Sequence, residues 1–476
     1  MADLDRQRWE RLLRWLNQEH GMDTNSLRLE AREAPGAGRG LFATKDIPPS
    51  STLFKIPGAA LMNVSTVLPL YPQIKQGRLS GIQLVSLHLL LHKPSGDDDS
   101  LDGVFGPYIS TLPRDFSSHP LTWLVNRRLG KEDHCGSYFL DRVPPSTQRS
   151  VTAICDRFWK DWEAVAKIMS SRRELKMAKH LPDTQDLLPD FLWAWLNVNT
   201  RCIYYRIRQN KADPDNFTLC PILDFANHGS GRTHIFPVIS ADIWGLTEDS
   251  GQGNRRRRRT DSYTFLGPSG YSLSAGDELL LKYGAHSNRF LFTEYGFVNP
   301  LKDVTSSSEY SGEVDVQDLV EDLIRQAGSV GPIIKSTLEE AGYWGDWTLH
   351  KSSSSANASW RLIAALRLIC ALERFSGEAT LQTHFAIEAW TDVTNGVKDK
   401  ISLTNEESTR SKLLQLCKTV RARALKNDVS ASITARIPQN RPGWFAWMSE
   451  NIRILWREEL EVAEAVMASI QAGEEL

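Results

Sequence analysis

The sequence has 476 residues, of which 41% are hydrophobic and 24% are charged, and its formal net charge is -2. These values predict a soluble globular protein of two to four domains. The near-balance of charge argues against direct nucleic-acid binding, which usually requires a basic surface. No apolar run approaches the roughly 18 residues of a membrane span, and the N-terminus lacks an apolar signal core, so we expect an intracellular protein.

The cysteines are scattered along the chain and contain no CxxC pair. This pattern predicts reduced thiols in an intracellular compartment and argues against a zinc cluster built from cysteines. The residues concerned are Cys135, Cys155, Cys202, Cys220, Cys370 and Cys417.

The first 64 residues change from a helical to a strand period. Residues 4–20 predict an amphipathic helix, and residues 27–57 predict short strands around the glycine-rich turn Pro35–Gly40. The glycines of this turn would let the main chain approach a ligand closely. An ordinary glycine-rich hairpin is the alternative, and the residues alone favour it.

Two features of the next 150 residues bear on function. Residues 82–92 predict a buried helix on which His88 and His92 lie one turn apart. Because no third ligand is evident, a structural role for these histidines is favoured over a metal site. Further helices are predicted over Val151–Met169 and Phe191–Arg201. Arg201 ends a buried helix and needs an anionic partner, which could be an internal carboxylate or that of a ligand.

The remaining chain divides into a polar insertion and a helical end. The insertion, residues 241–262, contains the run Arg255–Arg259. Such a run is most simply an exposed loop, and the alternative is a nuclear-localisation signal. From residue 301 onward helices are predicted almost throughout, over Val314–Ala327, Trp360–Leu372, Thr404–Leu425 and Phe445–Ile470.

Four motifs follow one another along the chain. They are Gly38-Arg39-Gly40-Leu41-Phe42-Ala43; Trp193-Ala194 with Thr200-Arg201; Pro221 with Asp224 and Asn227-His228; and Tyr283 with Asn288 and Tyr295-Gly296-Phe297. Together they resemble the split-SET-domain family of protein methyltransferases. That family includes the plant Rubisco large-subunit methyltransferase and the fungal ribosomal-protein lysine methyltransferases.

The resemblance implies an α+β fold: a SET-domain β-fold with a knot-like threaded C-terminal segment, split by a helical insertion and followed by an all-α C-terminal domain. The implied boundaries are 1–26 for an N-terminal helix, 27–90 and 215–300 for the two parts of the SET core, 91–214 for the insertion, and 301–476 for a helical substrate-binding domain.

The resemblance also implies S-adenosylmethionine as cofactor, with S-adenosylhomocysteine as product and no metal. The residues that match cofactor-contacting positions are Ala37, Gly38, Arg39, Arg201, Asp224, Asn227, His228, Tyr283 and Phe297. Main-chain contacts are expected from the first three. The positions that match the substrate side are Tyr205, Asp224 and Tyr295, and the catalytic position is Tyr283.

The implied reaction is methyl transfer to a lysine of an intracellular non-histone protein, with ribosomal or translation proteins as the first expectation. A cysteine-rich segment after the tyrosine motif, frequent in histone-directed relatives, is absent from this sequence. Protein-histidine methylation and a catalytically silent peptide-binding module are the alternatives. We expect a monomer in the cytoplasm, the nucleus or both, with no membrane partner.

Replacing Arg255–Arg259 with Ser and Gly tests the nuclear-localisation hypothesis. If the run is a nuclear signal, a fluorescently tagged variant should leave the nucleus, because import receptors recognise clustered basic side chains. Microscopy of the tagged wild-type and variant chains measures this. An unchanged distribution would reject the hypothesis.

Overall fold

The protein is described from a computed structural model. The residues that it describes are 2–34, 36–75, 77–171, 184–208, 210, 212–229, 233–238, 262–301, 311–375, 381–430, 438 and 440–474. The run Arg255–Arg259 lies outside them.

The described residues contain helices of very different lengths. In chain order these are α1 (Ala2–Gln18), α2 (Val64–Val67), α3 (Gly81–Leu91), α4 (Gly106–Ile109), α5 (Pro120–Arg128), α6 (His134–Leu140), α7 (Pro145–Ser171), α8 (Leu188–Arg201), α9 (Asn288–Tyr295), α10 (Gln317–Gln326), α11 (Gly331–Glu340), α12 (Trp360–Leu372), α13 (Leu381–Thr394), α14 (Leu403–Ser430) and α15 (Phe445–Gln471).

The strands form small antiparallel sheets. They are β1 (Leu29–Ala34), β2 (Gly38–Ala43), β3 (Thr52–Pro57), β4 (Ile203–Tyr204), β5 (Phe217–Thr218), β6 (Phe236–Val238), β7 (Ser262–Leu266), β8 (Gly312–Asp315), β9 (Thr348–Lys351) and β10 (Ala356–Ala358). The sheets are β1-β2, β3-β7-β6, β4-β5 and β10-β9-β8. The chain therefore mixes helix and sheet, as the sequence predicts.

The chain divides into two compact units. The first comprises Met1–Ser117 and Ile154–Ala285, and the second comprises Ser118–Ala153 and His286–Leu476. This division differs from the boundaries implied by the resemblance, because residues 118–153 join the C-terminal residues. The functional meaning of the implied boundaries stays a prediction.

The first unit holds the three sheets β1-β2, β3-β7-β6 and β4-β5 together with helices α1 to α4 and α8. Helix α1 buries the apolar face predicted from its period, including Trp9, Leu12 and Leu16. Trp9 packs edge-on against Phe225, with ring centroids 5.1 Å apart. The N-terminal helix is thus fixed to the segment that precedes Asn227.

The second unit has two apolar clusters. One surrounds the fully buried Trp347 and Trp390 and is completed by α12, α14 and α15. The other surrounds Trp123 and Phe139, which stack with ring centroids 5.5 Å apart. Because the side chains of both clusters are largely removed from water, they supply much of this unit's hydrophobic stabilisation.

The prediction that the C-terminal region is all-α is wrong. Strands β8, β9 and β10 form a three-stranded antiparallel sheet there. Gly312–Asp315 alternates between buried and half-exposed residues, which is the period of a strand, and the helix expected from Val314 begins only at Gln317. A strand of four residues is too short to give a recognisable sequence period.

Every helix in the described part of the chain is either too short or too polar to span a membrane.

Two neighbouring carboxylates in α15 are buried, at 3% exposure for Glu458 and 4% for Glu459. Desolvation raises the pKa of Glu458 to about 8 and that of Glu459 to about 7. Glu459 pairs with Arg423 at 3.2 Å, whereas Glu458 accepts the Glu313 amide hydrogen bond at 3.3 Å. Glu458 therefore stays protonated in the folded chain near neutral pH.

The substitution Glu458→Gln should flatten the fall of stability with rising pH. A carboxyl group whose pKa is raised on folding binds more protons when folded, so its contribution is lost as pH rises from about 4.5 toward 8. A neutral glutamine lacks this loss. Between pH 5 and pH 8 the variant should lose less free energy of unfolding than wild type, by on the order of 1–3 kcal/mol.

Urea denaturation followed by circular dichroism at both pH values measures the effect. Glu464→Gln is the control, because Glu464 lies on α15 like Glu458 but is exposed, where it pairs with Arg421 of α14. Equal pH dependence in wild type and Glu458→Gln would contradict the prediction.

Candidate active site

The glycine-rich turn predicted from the sequence is a tight hairpin. Strands β1 and β2 pair in antiparallel register, with Ala34 opposite Gly38. Gly36 and Gly38 have φ values of 79° and 77°, in the left-handed region of backbone conformation that residues other than glycine rarely adopt. The Ala37 amide donates to the Ala34 carbonyl oxygen at 3.1 Å and closes the turn.

Gly40 allows the second half of the site to approach this hairpin. A β-carbon at Gly40 would lie 2.5 Å from Glu278 Oε1 and 3.1 Å from the β-carbon of Ala34. The same Glu278 oxygen accepts a hydrogen bond from Asn227 Nδ2 at 2.7 Å, and that amide also donates to the Arg39 carbonyl oxygen at 3.1 Å. Asn227 thus connects the hairpin to the segment that contains Tyr283.

Residues 278–283 lie between the hairpin and the Asn-His pair. On one side Phe42 bridges to Glu278 in antiparallel orientation, and the Leu279 amide donates to the Leu41 carbonyl oxygen at 2.7 Å. On the other side His228 bridges to Leu281 in parallel orientation. Backbone hydrogen bonds therefore fix three separate chain segments side by side.

Tyr283 is held by both its backbone and its hydroxyl group. Its amide donates to His228 Nδ1 at 3.2 Å, and its hydroxyl donates to the Ala226 carbonyl oxygen at 2.9 Å. The rings of His228 and Tyr283 have centroids 5.2 Å apart. The phenol group is thus fixed directly beside the Asn-His pair.

Asp224 and Arg201, which are both half-buried, form a polar network with the buried Tyr108. Arg201 Nη1 donates to the Asp224 carbonyl oxygen at 2.5 Å, and the Tyr108 hydroxyl donates to the Asp224 carboxylate. Burial raises the pKa of Asp224 to about 6, although Arg201 and the Tyr108 hydrogen bond oppose the rise. Ile222, which precedes this turn, has a φ of 69° and is fully buried.

Two polar atoms of this network are unsatisfied. Asp224 Oδ1 and Arg201 Nε are buried and have no hydrogen-bond partner among the described residues. Buried polar atoms of this kind normally have a partner, because leaving one unpaired costs about 1–3 kcal/mol. The pair therefore fits a ligand that brings both a donor and an acceptor.

The Arg39 side chain, in contrast, has protein partners. Its guanidinium contacts Asp5 at 3.4 Å, donates to the Thr111 carbonyl oxygen and lies 5.0 Å from the Phe225 ring centroid. Its main chain remains part of the glycine hairpin. Main-chain contact of residues 37–39 with a cofactor stays a prediction.

Tyr205 lies just beyond strand β4. Its amide donates to the Asn216 carbonyl oxygen at 3.1 Å, and its ring is 5.3 Å from that of Tyr263. The Tyr263 hydroxyl donates to the Tyr204 carbonyl oxygen at 3.4 Å. Tyr205 is thus part of an aromatic pair in the first unit.

Tyr295 and Phe297 belong to the second unit. Tyr295 ends helix α9, and Gly296 terminates the helix with a φ of 82°. The ring centroids of Tyr295 and Phe297 are 6.1 Å apart, and the Tyr295 ring is 6.4 Å from those of His286 and Phe290.

Of the predicted site residues, the structure brings six together within the first unit: Arg39, Arg201, Asp224, Asn227, His228 and Tyr283.

Sequence analysis missed two residues of this arrangement. Tyr108 donates to the Asp224 carboxylate across 116 positions of sequence, and Glu278 accepts from Asn227 across 51. No local pattern could have indicated Tyr108. Glu278 follows the Gly276-Asp277 turn directly, so its position beside the tyrosine motif was the only available signal.

The fold, with its hairpin, Asn-His pair and tyrosine, is similar to that of solved SET-domain structures. A solved structure of the SET domain of LSMT bound to lysine and AdoHcy superposes with a TM-score of 0.56 at 18% identity, covering 98% of this chain and 93% of the other. A structure of Rubisco LSMT bound to AdoMet gives 0.52 at 16% identity, covering 98% and 93%. The chain thus has a SET-domain methyltransferase fold like that of Rubisco LSMT.

Sequence comparison identifies relatives that are named as lysine methyltransferases or SET-domain proteins. Ribosomal lysine N-methyltransferase 2 of Saccharomyces cerevisiae is 26% identical over 60% of this chain and 57% of its own length. Ribosomal lysine N-methyltransferase set11 of Schizosaccharomyces pombe is 26% identical over 78% of both chains. SET domain-containing protein 4 of Mus musculus is 24% identical over 97% of this chain and 91% of its own.

The aligned part thus spans less than two thirds of the Saccharomyces relative's length and more than two thirds of the other two. No family profile matches the chain. The resemblance to split-SET-domain proteins that the sequence indicated is confirmed by these relatives and by the fold.

The substitution Gly40→Ala should destabilise the site and the fold. Its methyl group would displace Glu278 or press on Ala34, and either shift disturbs the Asn227 hydrogen bonds. We expect a loss of about 1–3 kcal/mol in the free energy of unfolding, measured by chemical denaturation. Gly270→Ala is the control, since a methyl group there would have no heavy atom within 4 Å. Equal losses in both variants would contradict this explanation.

Proposed function

We propose that the chain is an S-adenosylmethionine-dependent protein-lysine N-methyltransferase. The observation that carries the proposal is the fixed phenol of Tyr283, whose hydroxyl is bound to the Ala226 carbonyl oxygen and whose amide is bound to His228. The names of the relatives and the ligands of the solved structures support the same activity.

The cofactor would contact both sides of this tyrosine. The main chain of Ala37, Gly38 and Arg39 would hold one part of it, and Asn227 and His228 would hold another. Arg201 would supply a positive charge and the unpaired Nε donor. The two unpartnered atoms of the buried network support this fit, because a zwitterionic ligand brings both the acceptor and the donor that they lack.

When bound, S-adenosylmethionine supplies a methyl group on a positively charged sulfur. The chain must present a neutral amine in line with that methyl group. A free lysine has a pKa near ~10.4, so only about one in a thousand is neutral near pH 7.4, which costs roughly 4 kcal/mol. Tyr283 would orient the reacting groups, and a desolvated channel would lower the lysine pKa.

The substrate side would use other residues. The Asp224 carboxylate would add negative charge on the substrate side, and this charge would be lost as pH falls below about 6, where Asp224 becomes protonated. Tyr205 would lie near the substrate lysine, where an aromatic face favours a cation. Tyr295 matches a substrate-side position of the family, Phe297 matches a position beside the cofactor or the lysine, and both roles stay predictions.

The finer architecture is part of the proposal. The parallel bridge of His228 to Leu281, beside the antiparallel bridge of Phe42 to Glu278, supports a knot-like threading of the 278–283 segment. The helical region 301–476 would help to hold the protein substrate. We further propose a monomer that acts in the cytoplasm, the nucleus or both and binds neither nucleic acid nor membrane directly.

A ribosomal or translation protein is the first substrate to test. Two relatives are named ribosomal lysine N-methyltransferases, and these names carry the inference. A fold and a site of this kind do not determine which protein carries the target residue, so the choice of this substrate class rests on the names.

The substitution Tyr283→Phe should lower methyl transfer by about 100-fold, the size of effect that loss of one well-placed polar group produces. The assay transfers labelled methyl groups from S-adenosylmethionine into an extract lacking this enzyme, with the modified residue located by mass spectrometry. Binding of S-adenosylhomocysteine, measured by calorimetry, should change little. Tyr138→Phe is the control, because its ring packs on Phe139 in the other unit.

Each outcome of this assay decides between functions. A labelled lysine that disappears in Tyr283→Phe supports the proposal and identifies the substrate. A labelled histidine would replace it with protein-histidine methylation. Cofactor binding without label on any purified ribosomal or translation protein would favour a silent peptide-binding module. Full activity of Tyr283→Phe would reject the role assigned to the tyrosine.

A further inference from the structure

Three side chains of the types that bind metal ions lie close together at the C-terminal end of helix α3. His88 and His92 lie one turn apart, and Asp102 comes from the loop before α4. Asp102 oxygens lie 3.4 Å from His88 Nε2 and 3.1 Å from His92 Nδ1. One ligand atom from each residue lies within 4.8 Å of the others. The side chains are 1%, 12% and 5% exposed, in the order His88, His92, Asp102.

The separations match those around a small divalent ion. Zinc binds imidazole nitrogen and carboxylate oxygen at about 2.0–2.2 Å, so neighbouring ligands of a tetrahedral site lie roughly 3.3–3.5 Å apart. His88 Nε2 lies 3.4 Å from Asp102 Oδ2 and His92 Nδ1 lies 3.1 Å from Asp102 Oδ1, so a rotation of the carboxylate would bring one oxygen to both nitrogens. The two imidazole rings have centroids 4.6 Å apart, so a small side-chain adjustment would complete the geometry.

Supporting hydrogen bonds orient the ligands. The Tyr71 hydroxyl lies 2.8 Å from His88 Nδ1, which leaves Nε2 directed at Asp102. This Nε2 is buried, and its polar neighbour is the Asp102 carboxylate at 3.4 Å. Asp102 Oδ2 accepts the Phe105 amide at 2.6 Å and the Val104 amide at 3.3 Å. Metal-binding histidines and carboxylates are typically fixed by such outer hydrogen bonds.

We propose that His88, His92 and Asp102 bind a divalent transition-metal ion, with Zn²⁺ as the best match to two imidazoles and one carboxylate. Three protein ligands leave one position for water. The ion would fasten the loop of residues 93–105 to helix α3, since its ligands come from both. With the metal bound, His88 Nδ1 carries the hydrogen and donates it to the Tyr71 oxygen.

The site would also support the candidate active site without contacting it. Asp102 accepts the Phe105 amide directly before α4, and α4 carries Tyr108, the donor to Asp224. The sequence offered only the two histidines, because Asp102 is ten residues beyond His92 and follows a turn. The structure supplies the third ligand.

A metal-free arrangement makes the opposite prediction. If the imidazole N–H groups donate to Asp102, the three side chains form an ion-pair cluster that has no use for a cation. Such a cluster would leave the purified chain unaffected by chelator or by added metal. Metal binding at this place therefore distinguishes the two.

The test uses the full-length chain, stripped with a chelator and titrated with Co²⁺. Cobalt reports its coordination through visible absorption, and Zn²⁺ should displace it. We expect one ion per chain and a rise in melting temperature with Zn²⁺. His92→Ala should weaken binding by at least about 100-fold. His384→Ala, which removes an exposed histidine of α13, should leave binding unchanged.

A second variant distinguishes loss of metal binding from loss of folding. Asp102→Asn retains an oxygen for the Phe105 amide but removes the charge, so it should fold and still bind Co²⁺ much more weakly than wild type. Wild-type chain that binds no Co²⁺ or Zn²⁺ would overturn the proposal, as would binding that survives in both His92→Ala and Asp102→Asn. These readouts do not depend on methyltransferase activity.

Discussion

The candidate active site depends on one arrangement of backbone hydrogen bonds. Residues 278–283 pair with β2 on one side and with Asn227–Gly229 on the other, so three segments far apart in sequence become neighbours. Every other feature follows from this pairing. It brings Glu278 to Asn227, Tyr283 to His228, and the glycine hairpin to both. A residue without a side chain is needed at Gly40 because the segments are so close.

The buried polar groups beneath this layer give the site its chemical character. Arg201, Asp224 and Tyr108 cost solvation energy when buried, and only part of that cost is offset by their mutual contacts. Hydrophobic residues of similar volume would give a more stable core. Two polar atoms of this network have no partner among the described residues, which is consistent with completion by a ligand.

Long periodic elements could be predicted from the sequence, and tertiary contacts could not. Helix α12 matches its predicted bounds, because thirteen residues give a clear apolar pattern. Strand β8 is wrongly predicted as helix, because its four residues are too few to give a clear apolar pattern. The four motifs indicated the SET-domain class, which the fold confirms. The hydroxyl of Tyr108 and the carboxylate of Asp102 act across the fold, so no neighbouring residue could reveal them.

The backbone at Ile222 has a wider consequence for ligand binding. A β-branched residue with a φ of 69° costs on the order of 1–3 kcal/mol, and this conformation persists only because the surrounding core over-determines it. The turn that carries Asp224 is therefore rigid before any ligand arrives. A rigid receptor surface loses little conformational entropy on association, so more of the contact energy remains as affinity. An excised peptide of the same sequence would relax and lose that advantage.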